Sequence, residues 1–142
     1  MSMTTRYFFF AVLVICSLLS AACSSSEDDK QTHYAKAMEY KQASDNEAAI
    51  LELRNAIKID PKFADARYQL GLLYIDEQDP KKAFGEMVRA ADLDEKNLDA
   101  NLKTAEFYLL GRKKEECRKY LERVLAADPA YTDGLALLAN LE

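Results

Sequence analysis

Apolar residues in this chain recur at helical spacing. Over residues 64–97, ADARYQLGLLYIDEQDPKKAFGEMVRAADLDEKN, two amphipathic runs are parted by a polar turn at Asp76–Pro80. Upstream, Tyr34, Ala37, Met38 and Tyr40 share one helical face, and Ala49, Ile50, Leu53, Ala56 and Ile57 share another. Apolar positions returning every three or four residues predict amphipathic helices. The predicted elements are helices over about residues 31–43, 46–59, 63–75, 80–93, 98–110 and 113–127, with another opening at Thr132.

Local signals mark the ends of these helices. Asp79-Pro80 is a start: aspartate caps the first N–H groups, and proline at the first helical position gives up a donor that has no helical partner there. Asp45 or Asn46 serves the same purpose one hairpin earlier. Asp60-Pro61 and Asp128-Pro129 are stops, because proline disfavours the helical conformation in the residue before it. Gly85 stands inside a predicted helix, which costs about 1 kcal/mol relative to alanine and would be explained by close packing. Gly111 marks the turn after the fifth helix.

The pattern repeats. Shifting the sequence by 34 residues places Tyr74 on Tyr40 and Tyr108, Gly71 on Ala37 and Ala105, Ala90 on Ala56 and Val124, and Met87 on Leu53 and Leu121. Asp94-Glu95 falls on Asp60-Pro61 and Asp128-Pro129. A fixed period of this length signals a solenoid, whose helical hairpins bury a continuous core only by stacking on neighbours. Arg67-x-x-Leu70-Gly71-x-x-Tyr74 followed by Ala83-x-x-x-Met87 resembles the tetratricopeptide repeat, with Arg for its usual Trp and Met for its usual Phe. The resemblance implies an all-α, helical-hairpin solenoid of about three and a half repeats, at 31–63, 64–97, 98–131 and a partial 132–142. Its turn glycine comes one residue later than Gly111. Tyr40, Tyr74 and Tyr108 recur where paired helices meet and are expected to pack in the core.

Residues 1–22 read as a targeting segment. Arg6 precedes an uncharged apolar run, Tyr7 to Leu19, which is short for a spanning helix. Ser20-Ala21-Ala22-Cys23 then resembles the bacterial lipoprotein signal, which implies an acylated Cys23 as the mature N-terminus. Ser24 rather than Asp follows that cysteine, and in the lipoproteins this resembles the outer-membrane class, facing the periplasm. Residues 23–30 read as the lipidated cysteine and a polar, flexible tether. With Cys16 and Cys23 so assigned, Cys117 is the remaining thiol. It replaces Ala49 and Ala83 of the other repeats and is expected to be a small core residue.

Charge narrows the function. The chain carries 19 Lys and Arg against 24 Asp and Glu, so its mild acidity repels phosphate backbones and no nucleic-acid partner is expected. The basic residues Arg112, Lys113, Lys114, Arg118, Lys119 and Arg123 are interleaved with Glu115, Glu116 and Glu122, and read as a solvated face with a Glu115–Lys119 helix pair. His33 is the only histidine and has no neighbouring ligand for a metal site. No glycine-rich phosphate loop and no serine–histidine–acid arrangement appears, so neither a cofactor nor an enzymatic activity is expected.

The first helix of each pair lines the concave surface in the tetratricopeptide family. Carried over residue by residue, the lining is Tyr34, Met38 and Lys41, then Asp65, Tyr68, Leu72 and Ile75, then Leu102, Glu106 and Leu109. This groove is apolar at its centre and acidic in places, which suits a helix or extended peptide with apolar anchors and some Lys or Arg. Relatives that clamp a peptide carboxylate use Lys, Arg and Asn here. Tyr34, Met38 and Gln69 stand instead, so no carboxylate clamp is expected.

The N-terminal signal, Tyr34-Ala-Lys-Ala-Met-Glu-Tyr40 and Ala48-Ala-Ile-Leu-Glu-Leu-Arg-Asn-Ala-Ile57 are similar to the tetratricopeptide lipoproteins of PEP-CTERM exopolysaccharide and sorting systems. That resemblance implies a membrane-anchored scaffold that recruits partners for export or assembly. Pilus-assembly and cell-division lipoproteins share the architecture, and a module preceding an enzyme in a longer protein is a further alternative. The segment Leu135-Ala-Leu-Leu-Ala-Asn-Leu141 is apolar nearly all round and keeps the 34-residue register, so further repeats are expected beyond it. Packing of this end on another subunit is the alternative.

Overall fold

A computed structural model describes residues 27–141. They form helices α1 (27–42), α2 (Asn46–Ile59), α3 (Ala64–Asp76), α4 (Pro80–Leu93), α5 (Leu98–Leu110), α6 (Lys114–Ala127) and α7 (Thr132–Leu141), and no strand occurs among the described residues. From α2 onward each helix packs on its sequence neighbours, and α7 also meets α5. The fold is an all-α helical-repeat solenoid, as the 34-residue period predicts. Residues 1–26, including the expected signal and Cys23, lie outside the described part, as does Glu142. Helix α1 already covers residues 27–30, four positions expected to be tether. Lys30 explains the difference: its Nζ lies 2.6 Å from both Glu27 and Asp60 and 5.1 Å from the Phe63 ring.

Alanine and glycine at the crossing points let the hairpins close. Ala37, Ala49, Leu53, Ala56, Phe63, Ala66, Leu70 and Leu73 form one buried cluster, in which the helix-crossing residues are small. A second joins Ala90, Ala91, Ala100, Leu102, Ala105, Cys117, Tyr120, Leu121 and Val124 to Leu137 and Leu141 of α7. Burial pushes the Cys117 thiol up, away from the reactive thiolate. Tyr74 and Tyr108 pack beside these clusters, Tyr108 stacking on Tyr120 at 5.5 Å and meeting Phe84 edge-on at 5.1 Å. Tyr40 departs from the expected core role and is 40% exposed.

Two turn designs alternate. After α1, α3 and α5 the chain passes through Ser44, Gln78 and Arg112 with φ near +60°, closing the helix with bonds such as Asp79 N–H to Tyr74 C=O at 2.8 Å. After α2, α4 and α6 the stop is an aspartate in extended backbone. Its carboxylate accepts the N–H two residues on: Lys62 for Asp60, Lys96 for Asp94, Ala130 for Asp128. Asp94 has no following proline and keeps the same geometry. The recurring stop is therefore the aspartate, with proline an accessory. Asp45 and Asp79 cap α2 and α4 through bonds to Ala48 and Lys82, and Asn97 caps α5 through Ala100.

Polar pins tie the paired helices. Arg67, which stands in the Trp position, places Nη1 2.6 Å from Glu86 and donates to the Pro61 carbonyl through Nε and Nη2. His33 and Glu52 make the corresponding contact one repeat earlier. In the third repeat Asn101 is wholly buried and donates to the carbonyls of Glu95 and Asn97, while Arg123 reaches its Oδ1. Arg123 is 19% exposed and pairs with Asp92 and Glu95, so it is not part of a solvated face. Nor does Lys119 pair with Glu115 as expected: it lies over the Tyr120 ring, 4.0 Å from Asp92.

Candidate partner-binding groove

Helices α1, α3, α5 and α7 lie side by side, which their cross-links show directly. Lys41 of α1 donates to Gln69 Oε1 of α3 at 2.7 Å. Tyr68 of α3 has its phenol pushed up by burial and by the carboxylates of Asp99 and Glu106 on α5. Tyr131, ahead of α7, donates to Asp99 at 2.6 Å, and this bond pushes its phenol up to about 12. Tyrosine and aspartate thus alternate across one face, Tyr34 facing Asp65 as Tyr68 faces Asp99.

The expected lining residues fall into three groups. Asp65 and Ile75 are exposed, and Lys41, Leu72 and Glu106 are partly exposed. Tyr34, Met38, Tyr68 and Leu109 are half-buried, each with one side against a core cluster and the other open. The Tyr34 ring rests on Phe63, with centroids 5.2 Å apart. Leu102 does not line the groove. It is 4% exposed and belongs to the second core cluster, with Leu137 and Leu141 of α7, a helix that packs on α5.

At the C-terminal ends of α3 and α5 the face opens into an apolar recess of about 450 Å³. Ile75, Pro80, Phe107 and Leu110 line it, with the Lys103–Glu106 pair at 2.8 Å on its edge. Phe107, Leu110 and Lys103 were not among the sequence-derived lining residues, since only positions matching the family's lining were carried over. Asp99 was missed too, although it stands 34 residues after Asp65 and the period alone points to it. The surface offers aromatic and aliphatic contact area, carboxylates on its acidic side, and cations at Lys41 and Lys103 that already have partners.

Residues 37–77 match the family described as TPR repeat, and residues 74–141 the one described as tetratricopeptide repeat. No curated protein matches the chain in sequence. Among solved structures it is similar to the first TPR of Spaghetti (RPAP3) bound to the HSP90 peptide SRMEEVD, at 18% identity over 80% of this chain and 90% of that one, TM-score 0.69. It is similar to MamA at 19% identity over 81% of this chain and 63% of that one, TM-score 0.72. Pseudomonas aeruginosa PilF is 26% identical over 82% of this chain, TM-score 0.61, and the match spans 52% of PilF, about half its length. The first two likenesses establish the fold alone. Among the described residues no helix is long and apolar enough to cross a membrane.

Proposed function

Residues 37–141 of this chain are tetratricopeptide repeats, and from that premise we propose that the protein is a non-catalytic scaffold that holds a segment of a partner protein in its concave groove. The observation that carries this reading is the half-open row of Tyr34, Met38, Tyr68 and Leu72 leading to the apolar recess at Ile75. Tyrosine and methionine suit such an adaptable interface. The similar RPAP3 repeat is described as bound to a peptide, which supports the groove as the working surface. The partner segment carries apolar anchors with Lys or Arg, matching the carboxylates of Asp65 and Asp99, which have no ion pair among the described residues. Acylated Cys23 anchors the scaffold in the outer membrane, facing the periplasm, and the partner belongs to an exopolysaccharide or protein-sorting system of the PEP-CTERM kind. The sequence of residues 7–24 supports the anchor, and the phrases around Tyr34–Tyr40 and Ala48–Ile57 support the pathway.

Two measurements test the proposal. A photo-reactive phenylalanine at Ile75 in the full-length protein should cross-link one envelope protein in cells, and Tyr68→Ala with Leu72→Ala should abolish the cross-link while helicity persists. A cross-link unaffected by those substitutions would defeat the groove assignment. Mass spectrometry of the mature N-terminus tests the anchor separately: an unacylated terminus, or an intact segment 1–22, rules it out.

A further inference from the structure

On the opposite side of α3 from the groove, a cleft of about 1080 Å³ separates α2 from α4. Its counterpart between α4 and α6 is clasped shut, because Tyr120 and Arg123 of α6 both reach Asp92 of α4 at 3.1–3.2 Å. Moving these three positions back by 34 residues gives Glu86, Arg89 and Lys58. Arg89 and Lys58 have the same charge, and Glu86 is turned away to Arg67 and Arg89. The clasp is therefore missing between α2 and α4, and the cleft stands open.

Its two cations on α2 are left without partners, while Glu77, bonded only to a neutral amide, keeps its negative charge on the α3 side. Glu77 accepts from Asn46 at 2.8 Å, Asp79 pairs with Lys82 at 2.6 Å and Glu86 pairs with Arg67 at 2.6 Å. Arg54 and Lys58 are exposed along α2 and have no ion pair or side-chain hydrogen bond among the described residues. Leu51, 57% exposed, and half-buried Tyr74, with Lys82 Nζ 5.3 Å from its ring centre, also line the cleft. A mildly acidic chain thus carries a local, unpaired cationic rim along a partly apolar lining.

We propose that this cleft is a second docking site, independent of the concave groove, for an acidic amphipathic helix of a partner protein. The lining of α2 from Ile50 to Lys58 spans about 12 Å, so about two turns of such a helix fit between α2 and α4. Its apolar face covers Leu51 and Tyr74, and its carboxylates meet Arg54 and Lys58. This is a helix laid into a groove, with register fixed by charge.

The test uses the full chain in detergent micelles and a fluorescent peptide of about 18 residues, long enough to form helix, with Leu at helical spacing and Glu on the flanking positions. Anisotropy should show saturable binding, and the same peptide with every Glu replaced by Lys should not bind. Arg54→Glu with Lys58→Glu should weaken binding by about tenfold or more, and Leu51→Asp should weaken it without altering helicity, since all three side chains are exposed. No saturable binding, equal binding of the Lys peptide, or affinity unchanged in the double variant would overturn the proposal. Loss of binding on Tyr68→Ala would also overturn it, by moving the peptide to the concave groove.

Discussion

Gly71 of α3 lies directly under Met87 of α4: a β-carbon at Gly71 would stand 2.9 Å from Met87 Cε and 3.1 Å from Cγ. Met87 is wholly buried, so its chain has little room to retreat. The same two positions hold Ala37 and Leu53 in the first repeat and Ala105 and Leu121 in the third, all buried. A shorter, stiffer leucine leaves room for a methyl group that methionine occupies.

Gly71→Ala is therefore expected to destabilise the fold by about 1 kcal/mol, overpacking outweighing the helix propensity gained. Adding Met87→Leu should restore stability to at least the starting value, since it recreates the pair of the flanking repeats. Urea midpoints of the single and double variants check this. A midpoint higher for Gly71→Ala than for the unaltered protein would show that Met87 moves freely.

Gly85 has the opposite surroundings. Its missing side chain faces open space, where a β-carbon would meet only Arg89 Nη1 at 3.7 Å. The close packing that would justify a mid-helix glycine is absent. Gly85→Ala should stabilise the protein by about 1 kcal/mol, seen as a higher thermal midpoint.

Turn strain sits one residue beyond the glycine. Arg112 has φ of 57°, whereas Gly111 has φ of −76°, which any residue adopts. Arg112→Gly should stabilise by about 0.5–1 kcal/mol, the relief of the left-handed conformation less the entropy of glycine. Gly111→Ala should cost nothing, because a β-carbon there meets neighbours only at 3.5 Å and beyond. Chemical denaturation of both variants distinguishes them.

The repeat period made the fold legible, because recurring Ala, Gly, Leu and Tyr record the same hairpin crossing each time. Helix ends were legible where aspartate or asparagine caps them. What the period hid were its local exceptions. Leu102 follows Tyr34 and Tyr68 in register, yet it is buried in the core cluster that includes Leu137 and Leu141 of α7; Tyr40 shares the register of Tyr74 and Tyr108, yet it is 40% exposed. The hydrogen bonds of Tyr131 and Gln69 across the concave face depend on how neighbouring hairpins are set against each other, which no single-residue pattern records.

Acid should loosen the start of the array. Lys30 is hydrogen-bonded to Asp60 and, with the Lys62 backbone N–H, holds that carboxyl below its ordinary value. A depressed folded value means that the stabilisation is complete above the ordinary carboxylate range, about pH 4, and is lost as pH falls through the depressed value. Lys30→Met should lower stability at neutral pH, and the gap should shrink steadily below about pH 4. A gap independent of pH would show that Lys30 acts only through its contact with Phe63.

The division between core and groove along α5 and α3 gives the last prediction. Leu102 is 4% exposed among the residues joining α5 to α6 and α7, whereas Ile75 is 38% exposed at the edge of the apolar recess. Removing a buried leucine side chain leaves a cavity, so Leu102→Ala should cost about 2–5 kcal/mol. Ile75→Ala leaves no enclosed void and should change stability by under about 1 kcal/mol. Partner binding should respond in the reverse order once folding is allowed for: Ile75→Ala weakens it at a temperature where both variants remain folded, and Leu102→Ala does not. Hydrogen exchange adds a second readout, because the cavity at Leu102 should speed exchange in α5 and α7 together while Ile75→Ala leaves both unchanged. Fast exchange in α7 alone would mean that α7 is not held through Leu102, and the residue would return to the groove.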